Sequence, residues 1–376
     1  MKQYYCISRI SEIENYQILS INKTMTKHLN VFKGSDSIKN FLNPGKHPMM
    51  PLVELSDDLN PFAEHRVRIF AKLMTFAPLG NVKAIPAYNM IRELYRRGEL
   101  ENVDDMIENS SGNTVLSLAL AAHHYGGLKT SSFIPHEISL NKILMLLFFG
   151  VQPIVNQEPP LPDANDPRSG VCKAREKGAQ PGWINPGQYD NPDNPKSHQK
   201  WTGKQIWKQT GGKINVFCAG LGTTGTITGT AKQLKKKKPS IQVVGVLREQ
   251  NSYVPGVRTK GLLQLVGFDW EPQVDSVEAV KTVESYRKSM QLSRNGIVVG
   301  PSSGFALCGL LNYLESRVKN NTLDELRDDN EDITCVFICP DGPVPYLDEY
   351  FKYLDPADFP EILNRELLAN KPQQSG

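Results

Sequence analysis

The stretch Ala219-Gly-Leu-Gly-Thr-Thr-Gly-Thr226 constrains the fold of this chain more than any other. The apolar run Ile214 to Ala219 precedes it, and a helical pattern from Thr226 to Lys238 follows. A strand, a glycine turn and a helix in that order make a corner of an α/β layer. The glycines let the backbone fold tightly. The free N–H groups of the helix's first turn then face outward as an anion site, most often for phosphate, and three threonine hydroxyls add donors. The lysine run 235 to 238 closes the same helix before Pro239, where cations complement the C-terminus on a solvated face.

Gly220, Gly222 and Gly225 also fit GxGxxG. A dinucleotide site wants an acid about 20 residues further on, and Glu249 lies 24 after Gly225. A nicotinamide-dependent oxidoreductase therefore stays open on this motif alone. Two features weigh against it: an elaborate α/β half precedes the loop, and its threonines suit a monophosphate better than a bare-backbone pyrophosphate site.

Elsewhere strand and helix patterns alternate. Strands are expected at 67–74, 132–135, 241–247, 296–299 and 334–339. Helices are expected at 82–97 (with Pro86 as a kink or late start), 114–124, 140–149 (buried), 201–210, 277–291 and 303–318. This alternation predicts a parallel sheet covered on both faces. Residues 156–197, dense in Pro, Asn, Asp and Gly, read as a long inter-lobe connection. The expected organisation is an N-terminal extension (1–45), an N-terminal lobe (46–190), a C-terminal lobe (191–355) and a tail (356–376).

Forty-three basic against 40 acidic residues leave a formal charge of +3, which makes no electrostatic case for a nucleic-acid or membrane partner. The most apolar run, Ile143 to Val151, is far short of the roughly 20 residues of a span. The N-terminus lacks a signal peptide's apolar stretch, and Glu12 and Glu14 argue against a transit peptide. Six cysteines, at 6, 172, 218, 308, 335 and 339, form no CxxC pair and no ligand spacing with histidine. They predict no metal and a reducing, cytoplasmic setting.

Three further motifs matter. Ser110-Ser-Gly-Asn-Thr114 opens a helix with short polar side chains and suits a carboxylate. Gly300-Pro-Ser-Ser-Gly304 offers hydroxyls between a strand and a helix, at the sheet edge where α/β ligands bind. Lys83 follows Pro78-Leu-Gly-Asn-Val. Read singly, these are an N-cap, a turn and a solvated lysine.

In this order, over roughly residues 49–350, they resemble the cysteine synthase and cystathionine β-synthase family of pyridoxal-phosphate enzymes. Met50-Pro-Leu-Val-Glu-Leu resembles the family's TPLVxL, and Ile69-Phe-Ala-Lys-Leu with Leu79-Gly-Asn-Val-Lys83 resembles AKLE…GSVK. Residues 110–114 resemble TSGNT, Gln188-Tyr-Asp-Asn-Pro-Asp-Asn-Pro195 resembles QFxNPxNP, and residues 201–212 resemble TTGPEIWEQTGG. Gly222-Thr-Thr-Gly-Thr226 is similar to the phosphate loop GTGGT, and residues 300–304 are similar to GxSxG.

The resemblance implies a two-lobed α/β fold of the tryptophan synthase β type that binds pyridoxal 5′-phosphate. It implies that Lys83 carries the cofactor as a Schiff base, that Asn113 bonds its 3′-oxygen and that Ser302 faces its pyridine nitrogen. Gly222, Thr223, Thr224, Gly225 and Thr226 would hold its phosphate. Ser110, Ser111, Gly112 and Thr114 would grip the substrate carboxylate, with Gln188 near the substrate. The implied reaction is β-replacement on O-acetyl- or O-phosphoserine through an aminoacrylate, with sulfide giving L-cysteine. An amine nucleophile or a catalytically inactive regulatory homologue stays open. A small amino acid is the implied substrate and a homodimer the implied assembly. The chain departs from the family pattern at Ala84-Ile85, at Thr224, at Arg248-Glu249 and at Val254-Pro-Gly-Val-Arg-Thr-Lys-Gly261, mostly on the substrate side.

Overall fold

The computed structural model describes residues 30–157, 163–328 and 331–364. Residues 1–29 of the expected extension, residues 365–376 of the expected tail, and Cys6 lie outside the described residues. Ten strands are present among the described residues: β1 (Leu52–Glu54), β2 (Val67–Leu73), β3 (Asp105–Asn109), β4 (Lys129–Pro135), β5 (Val151–Asn156), β6 (Trp183–Ile184), β7 (Ile214–Gly220), β8 (Gln242–Arg248), β9 (Ser276–Val280) and β10 (Ile333–Cys339). The helices of six or more residues are α1 (Ala84–Arg96), α2 (Asn113–Gly126), α3 (Leu140–Phe148), α4 (Gly170–Gly178), α5 (Asp193–His198), α6 (Lys204–Gln209), α7 (Gly225–Lys235), α8 (Thr282–Arg294), α9 (Pro301–Lys319) and α10 (Leu347–Tyr353).

The strands form two sheets, ordered β1-β2-β10-β7-β8-β9 and β5-β4-β3-β6. Every pairing is parallel except β1 with β2. Period-2 alternation explains how the larger sheet is covered on both faces. Along β10, Cys335, Phe337 and Cys339 join one core with Phe305 and Leu310 of α9. Val336 and Ile338 join the opposite core with Ile227 and Leu234 of α7 and Ile85 of α1. Although β1 and β2 fall within the first half of the sequence, they belong to this larger sheet.

Four local expectations are corrected. Residues 276–280 form the edge strand β9, and the helix expected from Val277 starts only at Thr282. Among the described residues Gly296 to Val299 pairs with no strand; Ile297 and Val299 pack into the core as irregular chain. The helix expected to be buried, α3, buries only Leu146 and leaves Leu140, Leu144, Leu147 and Phe148 exposed. The connection 156–197 holds structure of its own, including α4, β6 and α5. Among the described residues no helix is long and apolar enough to cross a membrane.

Candidate active site

The C-terminal ends of both sheets open onto one cleft of about 280 Å³, the position where parallel sheets bind ligands. It is lined by Lys83, Ser110, Ser111, Gly112, Asn113, Thr114, Gln188, Gly222, Thr223, Thr224, Thr226 and Ser302. The fold therefore brings together every candidate cofactor- and substrate-binding residue except Gly225; Glu249, the acid weighed for a dinucleotide site, does not line the cleft. Gly225 faces away from the cleft against α5: a Cβ there would stand 2.1 Å from Asn194 Oδ1.

Lys83 stands directly before α1. Asn81 Oδ1 accepts the Lys83 N–H at 2.9 Å, and the Val82 N–H donates to Pro340 O at 2.7 Å, tying this corner to the end of β10. Pro86 sits in the first turn of α1, where a missing N–H costs nothing, so the helix starts late and is not kinked. Burial holds the Lys83 amine below the ordinary lysine range; Asp341 opposes that shift and Arg258 adds to it. A second lysine, Lys72 in β2, is also pulled down by burial, to about 7. It lies outside the cleft, and its Nζ donates to Met50 O, Gln205 Oε1 and Gln209 Oε1 at 2.7, 2.9 and 2.7 Å.

The helices α2, α7 and α9 all begin at this cleft, and none has a side-chain cap on its first turn. Three positive helix ends thus converge there, with the Gly225 N–H of α7 committed to Thr223 Oγ1 at 3.4 Å and the Ser303 N–H of α9 to Gly300 O at 3.0 Å. In the loop before α7 the backbone is tight. A Cβ on Gly222 would meet Gly256 O at 2.1 Å, so only glycine fits. Thr224 takes a left-handed φ of 66°, rare for a β-branched residue, and its Oγ1 is buried without a partner among the described residues. A neutral cradle of N–H groups holding an orphaned hydroxyl fits a phosphate. Replacing Thr224 by glycine should relieve strain of roughly 1–3 kcal/mol and raise the denaturation midpoint of the cofactor-free protein; an unchanged or lower midpoint would show that the hydroxyl, not the backbone, decides.

Several site residues escaped the sequence reading. Asp341, just past β10, is buried and accepts from Asn113 Nδ2 and Tyr346 OH, both at 2.6 Å on Oδ2. Among the described residues its Oδ1 has no partner of full hydrogen-bond geometry, though the Ser302 hydroxyl lies close enough to pull its pKa down. Burial pushes its carboxyl up to about 6, against the pull of Tyr346, Asn113 and the Lys83 charge. His198 is buried behind the phosphate-type loop, with Nδ1 2.9 Å from Thr202 Oγ1 and Nε2 3.2 Å from Thr226 Oγ1. Burial, helped by the Lys83 charge, lowers it to about 3, so it is a neutral bracket. Lys142 and Arg258 add two cations to the lining. Lys142 is paired with Glu349 at 2.9 Å. Gln188 is fixed from both ends, its N–H on Glu108 Oε2 at 3.2 Å and its Nε2 on Asn109 O at 2.9 Å. A carboxylate at the end of a strand was the one available signal for Asp341; His198, Lys142 and Arg258 are single residues without a pattern, whereas Gln188 was named from its motif.

The comparisons agree on the kind of protein this is. A family model described as pyridoxal-phosphate dependent enzyme matches residues 42–323. Cysteine synthase B of Salmonella typhimurium is 32% identical over 269 residues, 71% of this chain and 84% of that protein. Cystathionine beta-synthase of Apis mellifera is 31% identical over 313 residues, 80% of this chain and 59% of that protein. Among solved structures, cysteine synthase from Entamoeba histolytica superposes with a TM-score of 0.67 at 25% identity, covering 82% of this chain and 89% of that one.

Proposed function

The chain belongs to the pyridoxal-phosphate-dependent enzyme family, and on that premise we propose that it catalyses β-replacement on a β-substituted L-serine, O-acetyl- or O-phosphoserine, with sulfide entering and L-cysteine leaving. One observation carries this reading: a buried lysine whose pKa burial lowers, a phosphate-type cradle and a carboxylate-type helix start share one cleft. The cysteine synthases among its relatives support the same chemistry.

Pyridoxal phosphate, when bound, supplies an electron sink for charge developing at the substrate's Cα. In our reading Lys83 would hold it covalently and Asn113 would hold its ring oxygen. Thr223, Thr224 and Thr226, with the N–H groups of the loop, hold the phosphate, and Gly222 and Gly225 let that loop close. Ser302 would hold the ring nitrogen. A serine hydroxyl carries no charge and cannot sustain a protonated ring. Charge at Cα is then best relieved by expelling a β-substituent, and transamination and racemisation are disfavoured. Lys83 would also be the residue placed to take the Cα proton. Ser110, Ser111, Gly112 and Thr114 receive the carboxylate, and Gln188 borders the substrate.

We also read the enzyme as a cytoplasmic homodimer. Its five described cysteines are free and buried, and the apolar face of α3 is exposed.

The deciding experiment incubates the cofactor-loaded protein with each serine derivative and sulfide or a panel of amines, and identifies products by mass spectrometry. Cysteine as the main product supports the reading; a keto acid as the main product overturns it. Thr223→Val should lose cofactor on dialysis, since a bond to a charged group is worth roughly 1.5–3 kcal/mol. Thr226→Val should also lose cohesion, because it leaves His198 Nε2 unpartnered.

A further inference from the structure

Glu108, near the end of β3, is 1% exposed and lies just outside the lining of the cleft. Among the described residues no cation acts on it. A buried carboxylate without a counter-ion is costly unless donors fill its oxygens. Backbone donors fill these: Oε1 accepts the Asn109 N–H at 2.8 Å, and Oε2 accepts the Gln188 N–H at 3.2 Å. Both donors belong to residues that line the cleft.

The topology explains why a side chain is needed here. β6 pairs with β3 through Asp105 with Trp183 and Met106 with Ile184 only. Past those pairs, side chains join the two segments. Asn185 Nδ2 donates to Ile107 O at 2.7 Å, and the Glu108 carboxylate takes the Gln188 N–H. Gln188 returns the bond, its Nε2 donating to Asn109 O at 2.9 Å. From β4, Ser132 Oγ donates to Ser110 O at 2.6 Å and accepts the Ser110 N–H at 3.2 Å. Glu108 therefore sits where the carboxylate loop 110–114 and the Gln188 segment are tied together.

Only an ionised carboxylate can take both N–H groups. A protonated acid or an amide turns one acceptor into a donor that faces an N–H. Burial pushes the Glu108 carboxyl up to about 7, against the pull of Asn109 and Gln188, and Asp190 adds to the rise. Asp190 is paired with Arg175 of α4, the helix packed on β3. On the same helix Lys173 is held by Asn156, Lys177 by Gln180, and Glu176 accepts from Cys172. Lys129 of β4 stands beside Asp105 at the other end of the strand, and α2 carries His123 and His124 in its last turn.

We propose that Glu108 is a positioning residue for the amino-acid substrate: its ionised carboxylate fixes the carboxylate loop and Gln188 in one geometry, without touching substrate or cofactor. This rests on the reading of residues 110–114 as the carboxylate site. Substrate affinity then depends on pH. The clamp is complete about one pH unit above the Glu108 midpoint, and below it the acid's proton leaves one N–H unpaired.

The test titrates cofactor-loaded wild type and Glu108→Gln with L-alanine, followed by the cofactor's absorbance. Alanine has the substrate's amino and carboxylate groups and no leaving group. At about pH 8 Glu108→Gln should bind it roughly 10- to 10²-fold more weakly, the worth of one charge-assisted bond. At about pH 6 the gap should shrink to a few-fold, because the wild type has then lost the same bond. The ratio of the two affinities at each pH cancels the titrations that both proteins share. Cofactor retention on dialysis should match wild type. Asp190→Asn, with Glu108 intact, should match wild type near pH 8 and bind alanine more tightly near pH 6. Unchanged alanine binding in Glu108→Gln, a gap of equal size at both pH values, or cofactor lost together with alanine would overturn the proposal. If alanine does not bind the loaded wild type, the carboxylate site is misassigned and the proposal falls with it. If alanine behaves as expected while the wild type converts neither serine derivative, the role of Glu108 stands and only the β-replacement reading falls.

Discussion

Lys83→Ala should give a folded protein that converts serine derivatives on the order of 10⁴-fold more slowly or worse, because one side chain serves as both covalent anchor and proton carrier. The choice of Lys83 over Lys72 follows from their partners and not from burial alone. Burial lowers both amines. Lys72 spends its three N–H donors on three acceptors outside the cleft, and moving it would strand buried carbonyl groups. Lys83 lines the cleft with no described hydrogen bond on Nζ. Burial, the larger cause, holds its pKa below the ordinary lysine range, the direction a nucleophilic amine needs. Borohydride reduction of the loaded wild type followed by peptide mapping should place the cofactor's mass on Lys83, and Lys83→Ala should carry none. Partial rescue of the variant by a small primary amine would separate lost chemistry from lost structure. A label on Lys72 in the wild type would refute the assignment.

What could be read from the sequence, and what could not, divides along physical lines. Central strands of a sheet covered on both faces are apolar at nearly every position, so β7 and β10, interrupted only by Asn215 and Thr334, announce themselves. The edge strand β9 does not. Ser276-Val-Glu-Ala-Val280 is only partly buried and runs through Lys281 into α8 with no Gly or Pro between, so it reads as the start of a helix. Gly296-Ile-Val-Val299 has strand composition, but its burial comes from packing under α9 and not from pairing. The apolar run of α3 looks like core because a run of nine carries no phase; only the packed structure shows which side is left bare.

The site divides similarly. Loops that work through backbone leave glycines and small polar residues in a fixed order, which is why residues 110–114, 222–226 and 300–304 were legible. Asp341 and Arg258 work through one side chain each. Asp341-Gly342 after a strand reads as a turn, and it becomes a site residue only when Asn113, 228 positions away, meets it.

That meeting gives the second large effect. Asp341 holds two buried donors, Asn113 Nδ2 and Tyr346 OH, on one oxygen, and it faces Lys83 closely enough to raise the lysine's pKa. Asp341→Ala strands both donors, at about 1–3 kcal/mol each, and frees Asn113 to turn; it should lose both stability and cofactor affinity. Asp341→Asn is the sharper variant, since its amide oxygen can still accept both bonds and only the charge is lost. The sign of the pH effect then follows. A carboxyl raised to about 6 in the folded protein, against about 3.9 unfolded, costs nothing below pH ~4 and its full penalty above pH ~6. Asp341→Asn in the cofactor-free protein should therefore gain thermal stability relative to wild type at pH 8, and gain little or none near pH 4. The same variant removes the charge that supports a protonated Lys83. The pH midpoint for cofactor attachment, followed by absorbance, should fall below that of wild type. A midpoint that rises, or a stability difference that does not change between pH 4 and pH 8, would mean that Asp341 is neutral in the folded state and acts only as a hydrogen-bond acceptor for Asn113 and Tyr346.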